Sequence, residues 1–205
     1  MTGATRSARP PGRPRSQEAD LAILAAALDL LIEQGAAQTS IEQVARRAGV
    51  TRATVYRRFA DKTALLVRAL EWANHDHDTE LPGWRDVEHM FADWAAHLAV
   101  PRNRRLLRRL FGSVDDYPEL VLTYRMVNGG RRAAAVREVL CRTRDLGLLP
   151  PGLDVPVVQE MLSAAVVNHV ALHPDDEDPG RIAAYFMAIM KQFGHREVPG
   201  ESRGT

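Results

Sequence analysis

The sequence has a single cysteine and no long apolar run, and each of these two features excludes a class of protein. The single cysteine among its 205 residues, Cys141, excludes an intramolecular disulfide framework and a zinc site built from several cysteines. No apolar run approaches the roughly 18 residues of a membrane-spanning helix, and no apolar segment resembling a signal peptide follows the basic N-terminus. We therefore expect a cytoplasmic protein without a membrane partner.

Charge is unevenly distributed along the chain, although the formal net charge is only +1. Residues 1–74 contain 11 Lys and Arg against 7 Asp and Glu, whereas residues 75–205 contain 16 against 19. A basic end on a slightly acidic body is suited to meeting phosphate at that end. Because 25 of the 27 basic residues are arginine, a single arginine cluster carries little weight by itself.

The spacing of apolar residues predicts an all-α chain, since no strand-like alternation of useful length occurs. Residues 1–16 are rich in Pro, Gly and Arg, which predicts a disordered basic arm; the arm either enters a minor groove or is a solvated tail. A helix–turn–helix unit is expected over residues 17–62 and a second helical domain over residues 63–205. Caps, stops and periodicity predict helices over approximately 21–34, 40–48, 51–60, 62–73, 87–98, 102–112, 118–146, 154–172 and 180–193.

The stretch from Ser40 to Phe59 has the layout of a DNA-reading helix–turn–helix, with two short helices joined by a tight turn. Ser40 and Gln43 are spaced as a capping box, and Gly49 can take the positive φ that the turn needs. Val55 and Phe59, four residues apart, are predicted to face inward. This leaves polar and small side chains outside on the second helix: Arg52, Ala53, Tyr56 and Arg57.

That outward set has the chemistry of a DNA-binding surface. Thr51 and Thr54 can bond phosphate or base edges, arginine can fork onto guanine, and Tyr56 can reach a phosphate or a thymine methyl group. Lys62, in the first turn of the fourth helix, is predicted to form a second phosphate clamp with that helix's N-terminus.

Residues 23–70 resemble the DNA-binding domain of TetR-family repressors. The resemblance rests on several elements together: Gly35, Thr39-Ser40, Val44-Ala45, Ala48-Gly49-Val50, Thr54-Val55-Tyr56, Phe59, Lys62 and Leu65-Leu66. It implies a dimer on a near-palindromic operator and a ligand-responsive C-terminal domain. It also implies DNA contacts at Ser40, Thr51, Arg52, Thr54, Tyr56 and Lys62. Arg57-Arg58 depart from the family pattern, which often has an aromatic residue followed by His, and predict a stronger attraction to phosphate.

The C-terminal half resembles the family less strongly, although residues 142–169 look like a module found in some members. Helices 154–172 and 180–193 carry apolar arcs wider than one core face needs, which favours pairing with a second copy over a purely monomeric core. In similar proteins the helices that bear Trp94, Phe111 and Tyr124 enclose a ligand cavity, although aromatic core packing explains each residue equally well. Asn168 and His169 are either ligand contacts or paired polar groups of the core.

Other polar clusters have simpler explanations. In the segment His75-Asp76-His77-Asp78 the two histidines are two residues apart, so on a helix their side chains point in different directions. A solvated helix end is therefore favoured over a metal site. Since no second cluster of His and acidic residues of similar strength is apparent, neither a metal nor a cofactor is predicted. Cys141 is expected to be a buried, inert thiol. The arginines of 102–109 are expected on a solvated or ion-paired face rather than at an anion site or as an extension of the DNA contact: Arg102, Arg104, Arg105, Arg108 and Arg109.

The leading hypothesis is a non-enzymatic DNA-binding regulator, a repressor released from its operator by a small molecule. One alternative is a DNA-binding protein with no effector. Another, from a different class, is a small helical metal-dependent hydrolase built on residues 75–78. The residues do not distinguish repression from activation, and they identify neither the effector, the operator sequence nor the regulated genes.

Overall fold

A computed structural model of the chain describes residues 14–75 and 83–196, and within these ranges every regular element is an α-helix. The predicted all-α class is therefore confirmed. The helices are α1 (Pro14–Gln34), α2 (Ile41–Arg47), α3 (Arg52–Tyr56), α4 (Lys62–His75), α5 (Val87–Leu98), α6 (Pro101–Phe111), α7 (Pro118–Asp145), α8 (Val155–Leu172) and α9 (Pro179–Gln192).

Two predicted boundaries need correction. α1 begins at Pro14, so residues 14–16 of the predicted disordered arm are helical, and proline is well suited to the first turn because its missing N–H is not needed there. α3 ends at Tyr56 rather than near residue 60, because the Arg58 amide bonds back to Val55 O at 2.9 Å and tightens the last turn. The predicted arm over residues 1–13 and the 76–78 part of the His-Asp segment lie outside the described residues.

Apolar side chains form two cores. The first joins α1 to α4 with the ends of α6 and α7, and includes Leu65 and Leu70 of α4. The second joins α5, α8, α9 and the rest of α7. Phe111 and Tyr124 contact both cores, so they lie at the junction. α4 thus lies in the first core, where it packs against both α1 and the start of α7, and the predicted division at residue 62 falls at its first residue.

The arginines of α6 connect the two halves of the molecule. Toward α1, Arg102 pairs with Asp29 at 2.6 Å and Arg109 donates to Glu33 O at 2.8 Å. Toward α8, Arg108 donates to Val170 O at 2.7 Å. Arg102 and Arg108 are therefore ion-paired, the latter with Asp175, and Arg109 donates to backbone carbonyls. Arg104 is fully buried rather than on a face.

The outer face of α8 is apolar and open. Val157, Met161 and Leu172 are 49%, 50% and 76% exposed, while Val158 and Leu162 on the inner face are buried in the second core. Among the described helices, α8 alone is long and apolar enough, with a mean hydropathy of 1.3, to meet the length and composition criteria for a membrane-spanning helix. This finding qualifies the expectation that the chain has no apolar run of that length. On α7, Cys141 is half-buried rather than buried.

Candidate nucleic-acid interface

The turn between α2 and α3 has the geometry that the sequence predicts. Gly49 has φ +66°, a left-handed conformation that costs glycine little, and the Val50 amide donates to Ala45 O at 3.0 Å. Ala45 is buried, as is Val55 on α3. These contacts fix the angle between the two helices and leave one side of α3 exposed.

Side-chain caps define where both short helices begin. Ser40 Oγ accepts from the Gln43 amide at 3.2 Å, and Gln43 Oε1 accepts from the Ser40 amide at 2.8 Å, which confirms the capping box. Thr51 Oγ1 accepts from the Thr54 amide at 3.2 Å and lies 2.9 Å from Thr54 Oγ1. Ser40 and Thr51, two of the predicted DNA-contacting residues, thus use their hydroxyl oxygens as helix caps.

The open side of α3 carries four exposed residues: Arg52, Ala53, Tyr56 and Arg57. We call these four residues the α3 face. Tyr56 is 50% exposed, Thr54 is half-buried beside the face, and Phe59 packs half-buried against the first core. The structure therefore brings the predicted α3 residues to one surface, with two guanidinium groups and a phenol around a small alanine.

Arg58 does not belong to this surface. Its side chain is only 17% exposed, forms an ion pair with Asp20 of α1, and donates from Nη1 to Thr54 O at 3.0 Å. The predicted contribution of Arg58 to phosphate attraction is therefore wrong: its charge holds the end of α3 against α1. The pairing spans 38 residues, so no local spacing in the sequence could reveal it.

Lys62 also has partners that the sequence did not suggest. Its Nζ donates to Ala36 O and to the Tyr117 hydroxyl, each at 2.9 Å, and lies 3.5 Å from Ala37 O. An ammonium group has three donors, so these three acceptors occupy it. This arrangement differs from the predicted phosphate clamp, because the charge is directed into the joint between the turn after α1 and the start of α7.

The predicted effector residues do not meet at one place. Trp94 is buried in the second core, with ring centroids 5.4 Å from Phe91 and 5.5 Å from Phe186. Phe111 and Tyr124 lie at the junction of the two cores, and burial raises the pKa of the Tyr124 phenol. Asn168 is exposed on α8, with Nδ2 3.5 Å from the Tyr185 hydroxyl, so the four residues do not line a common wall.

A cluster of His and acidic side chains that the sequence reasoning missed lies at the end of α8. His169 is fully buried, which favours its interpretation as a core polar group, and its Nδ1 accepts from Arg104 Nη1 at 3.3 Å. His169, His173 and Glu177 place one ligand atom each within 4.8 Å of one another, so the expectation of no second cluster is wrong. The signal was their four-residue spacing, which the break at Pro174 obscured.

Comparison with known proteins gives matches over both halves of the chain. Residues 23–69 match the family described as bacterial regulatory proteins, tetR family, and residues 83–189 match the tetracyclin repressor-like C-terminal domain. The regulator SrpR of Pseudomonas putida is 38% identical over 147 residues, covering 68% of each protein. The regulator YdeS of Bacillus subtilis is 25% identical over 184 residues, covering 88% of this chain and 92% of YdeS.

A likeness of fold extends over almost the whole described chain. NalD of Pseudomonas aeruginosa, a secondary repressor of the MexAB-OprM multidrug efflux pump, superposes with a TM-score of 0.65 at 24% identity. The match covers 89% of this chain and 100% of NalD.

Proposed function

The chain belongs to the TetR family of DNA-binding transcriptional regulators, and we propose that it is a repressor that leaves a palindromic operator when a small-molecule effector binds. The observation that carries the proposal is the α3 face, because its exposed guanidinium and phenol groups have no role in packing the first core. The members of this family are regulators, so we propose no enzymatic activity.

The α3 face suits the major groove. Arg52 and Arg57 can each fork onto guanine O6 and N7, and Tyr56 can donate to a phosphate or contact a thymine methyl group. Ala53 between them has no long side chain, which lets α3 approach the base edges. Ser40, exposed at the start of α2, accepts from a backbone amide and keeps its hydroxyl proton for a phosphate oxygen.

We assign the outer face of α8 to a second copy of the chain. Val157 and Met161 are four residues apart and lie in line with Ala164, Asn168 and Leu172, and all five are exposed. An apolar stripe of this kind is unfavourable in water and is well suited to an isologous helix pair. With α9 alongside, two copies would form a four-helix bundle over 154–172 and 180–193. A second copy would cover the apolar side chains of α8 in place of a membrane, which is consistent with a cytoplasmic protein.

Dimerisation gives the α3 face its function. Two copies would present their α3 helices to successive major grooves, about 34–36 Å apart along one side of the duplex. An effector that lodges where Phe111 and Tyr124 join the two cores would move α4 relative to the C-terminal helices and change that spacing. Trp94 in the second core and Asn168 on the outer face of α8 lie apart from this junction and are not part of the proposed effector site. Effector and operator would then oppose one another reciprocally, with a coupling of about 1–3 kcal/mol.

The test is equilibrium binding of the full-length chain to labelled DNA from upstream of its own gene, with a scrambled duplex of equal length as the competitor. Arg52→Ala should weaken binding to the specific duplex by about 1–3 kcal/mol and reduce the preference over the scrambled duplex. Arg68→Ala is the matched control, since Arg68 is an exposed arginine on α4, outside the α3 face.

Arg68→Ala should bind like the wild type. Equal losses in Arg52→Ala and Arg68→Ala would show that general charge, and not the α3 face, carries the affinity. Absence of any duplex binding by the wild-type chain at low ionic strength would overturn the proposal.

A further inference from the structure

Three ligand-bearing side chains converge where α8 ends and the turn to α9 begins. His169, His173 and Glu177 follow one another at four-residue intervals. His169 Nε2 and His173 Nδ1 each lie 3.2 Å from the same oxygen, Glu177 Oε2. The two imidazole rings are stacked, with centroids 4.1 Å apart and an interplanar angle of 12°. The helix end and the turn thus bring two nitrogens and one oxygen within 4.8 Å of one another.

Hydrogen bonds do not account for this convergence. His169 is fully buried, and the Glu177 side chain is only 10% exposed. Within the described part of the chain, neither His169 Nε2 nor Glu177 Oε2 makes a hydrogen bond despite the short distance between them. Buried polar atoms almost always have a partner, so a pair left without one calls for a group that satisfies both.

The two nitrogen-to-oxygen distances match those between neighbouring ligands of one tetrahedral metal ion. Zinc bonds to histidine nitrogen and carboxylate oxygen are about 2.0–2.2 Å long, so at a tetrahedral angle neighbouring ligand atoms lie about 3.3 Å apart. Both nitrogen-to-oxygen separations here are 3.2 Å. Two imidazoles with one carboxylate favour a borderline transition metal over Mg²⁺ or Ca²⁺, which prefer oxygen ligands alone.

We propose that His169 Nε2, His173 Nδ1 and Glu177 Oε2 bind one divalent metal ion of the zinc class. An open cleft of about 370 Å³ adjoins His173 and Glu177 and gives an ion a route in from solvent. Three protein ligands leave the fourth tetrahedral position for water from the cleft.

Charged groups around the three ligands nearly balance. Arg104 and Arg108 lie on one side, but Asp175 pairs with them at 3.3 and 2.6 Å. Arg181 Nε is 4.0 Å from the other Glu177 oxygen, Oε1, at the exposed edge. The carboxylates of Asp176 and Asp178 line the same cleft and offset that charge.

Metal binding has one local consequence for Arg104. A metal on His169 Nε2 leaves the ring proton on Nδ1, which now accepts from Arg104 Nη1 at 3.3 Å. That contact has to open, while Nη1 keeps the hydrogen bond that it already donates to Leu98 O at 3.5 Å. Loading therefore requires that the Arg104 guanidinium group shifts and that the partly exposed His173 ring turns out of the stack, so that both nitrogens face the ion.

The experiment is a Co²⁺ titration of the full-length, tag-free chain, followed by the visible absorption of tetrahedral Co²⁺. One Co²⁺ per chain, displaced by Zn²⁺, is the expected result. Glu177→Gln, which keeps the size of the side chain, and His173→Ala should each lower the affinity at least about 10-fold. His97→Ala, which removes an exposed histidine on α5, is the matched control and should bind like the wild type.

The same titration can overturn the proposal. A wild-type chain that shows no tetrahedral Co²⁺ spectrum would do so, and so would Glu177→Gln binding one Co²⁺ with wild-type affinity. Loss of binding in a His75→Ala/His77→Ala double variant, with binding kept in Glu177→Gln, would move the site to the other His-Asp segment. Far-ultraviolet circular dichroism establishes whether each variant is folded. If His173→Ala does not fold, Glu177→Gln alone decides the outcome.

Discussion

Lys62 and Tyr117, 55 residues apart in the chain, are joined by two interactions at once. Lys62 Nζ donates to the Tyr117 hydroxyl at 2.9 Å and lies 4.9 Å from the centroid of the same ring. The ammonium also donates to Ala36 O in the turn after α1. Since Tyr117 immediately precedes α7, one side chain of α4 ties the DNA-binding unit to the first helix turn of the C-terminal half.

Lys62→Met removes the three donors and keeps the aliphatic stem. We expect the free energy of unfolding to fall by about 1–3 kcal/mol, because the charged hydrogen bonds to Ala36 O and to the Tyr117 hydroxyl are lost. Urea unfolding followed by circular dichroism measures the change. Arg68→Met is the control: Arg68 forms only an exposed pair with Glu71, worth at most about 1 kcal/mol.

DNA binding by Lys62→Met separates the structural function from the phosphate clamp that the sequence predicts. If Lys62 contacts phosphate, the slope of log K against log salt concentration should become shallower by about 1. An unchanged slope with lowered stability is the result that the observed contacts favour.

Arg57 and Arg58 are neighbours with different surroundings, so they form a matched pair. Arg57→Ala should weaken operator binding by about 1–3 kcal/mol and leave the urea midpoint unchanged, because Arg57 is exposed on the α3 face. Arg58→Ala should lower the free energy of unfolding by about 1–3 kcal/mol, because Asp20 and Thr54 O lose a charged donor. Anisotropy titrations and urea unfolding of both variants check this, and the reverse pattern would refute the assignment.

Met161→Glu tests the proposed dimer. A carboxylate in the centre of the outer face of α8 should raise the dimer dissociation constant at least 10-fold, about 1.4 kcal/mol, because the charge loses its water when the helices pair. Analytical ultracentrifugation over a range of concentrations measures this constant. Leu122→Glu is the control, since Leu122 is 57% exposed on α7 and lies outside the proposed interface. Equal dissociation of both variants would argue against the α8 interface.

The Tyr124 phenol should make the free energy of unfolding depend on pH in the alkaline range. Burial raises the pKa of its phenol above the value of about 10 that it has in the unfolded chain, so the unfolded state loses its proton first. The resulting stability is fully present below pH of about 10 and is lost as the pH rises from there through the folded pKa. Tyr124→Phe should therefore lose less stability than the wild type above pH of about 10.

Urea unfolding at several alkaline pH values provides the measurement for Tyr124. Tyr56→Phe, at a half-exposed position on α3, is the reference. Identical pH profiles for the two variants would contradict the assignment to Tyr124.

The local features of the fold could be predicted from the sequence because their causes lie within a few residues. The Ser40–Gln43 capping box and the turn at Gly49 both occur where the sequence indicates. Capping and glycine conformation depend on backbone groups at most four positions away. The α3 face could be predicted for the same reason, since the inward position of Val55 determines which side of this short helix points outward.

The interior position of Arg104 and the contacts of Arg58 and Lys62 could not be predicted in this way. A long cationic side chain can reach several ångströms in any direction, so its partner depends on which helices the fold brings close. Arg104 contacts groups about 70 positions away, at His169 and Asp175, and Arg58 finds Asp20. The predicted effector residues were separated for the same reason, because helical spacing does not say which faces of two helices enclose a common space.

The amino-acid sequence by itself determined the helices and the side chains that α3 exposes, because both depend on short-range periodicity and capping. It determined the family through the resemblance of residues 23–70. The tertiary structure alone decided which charges are used for packing, where the two cores meet, and that Glu177 folds back onto His169 and His173. Those outcomes depend on distances between segments far apart in the chain, which are fixed only when the helices pack.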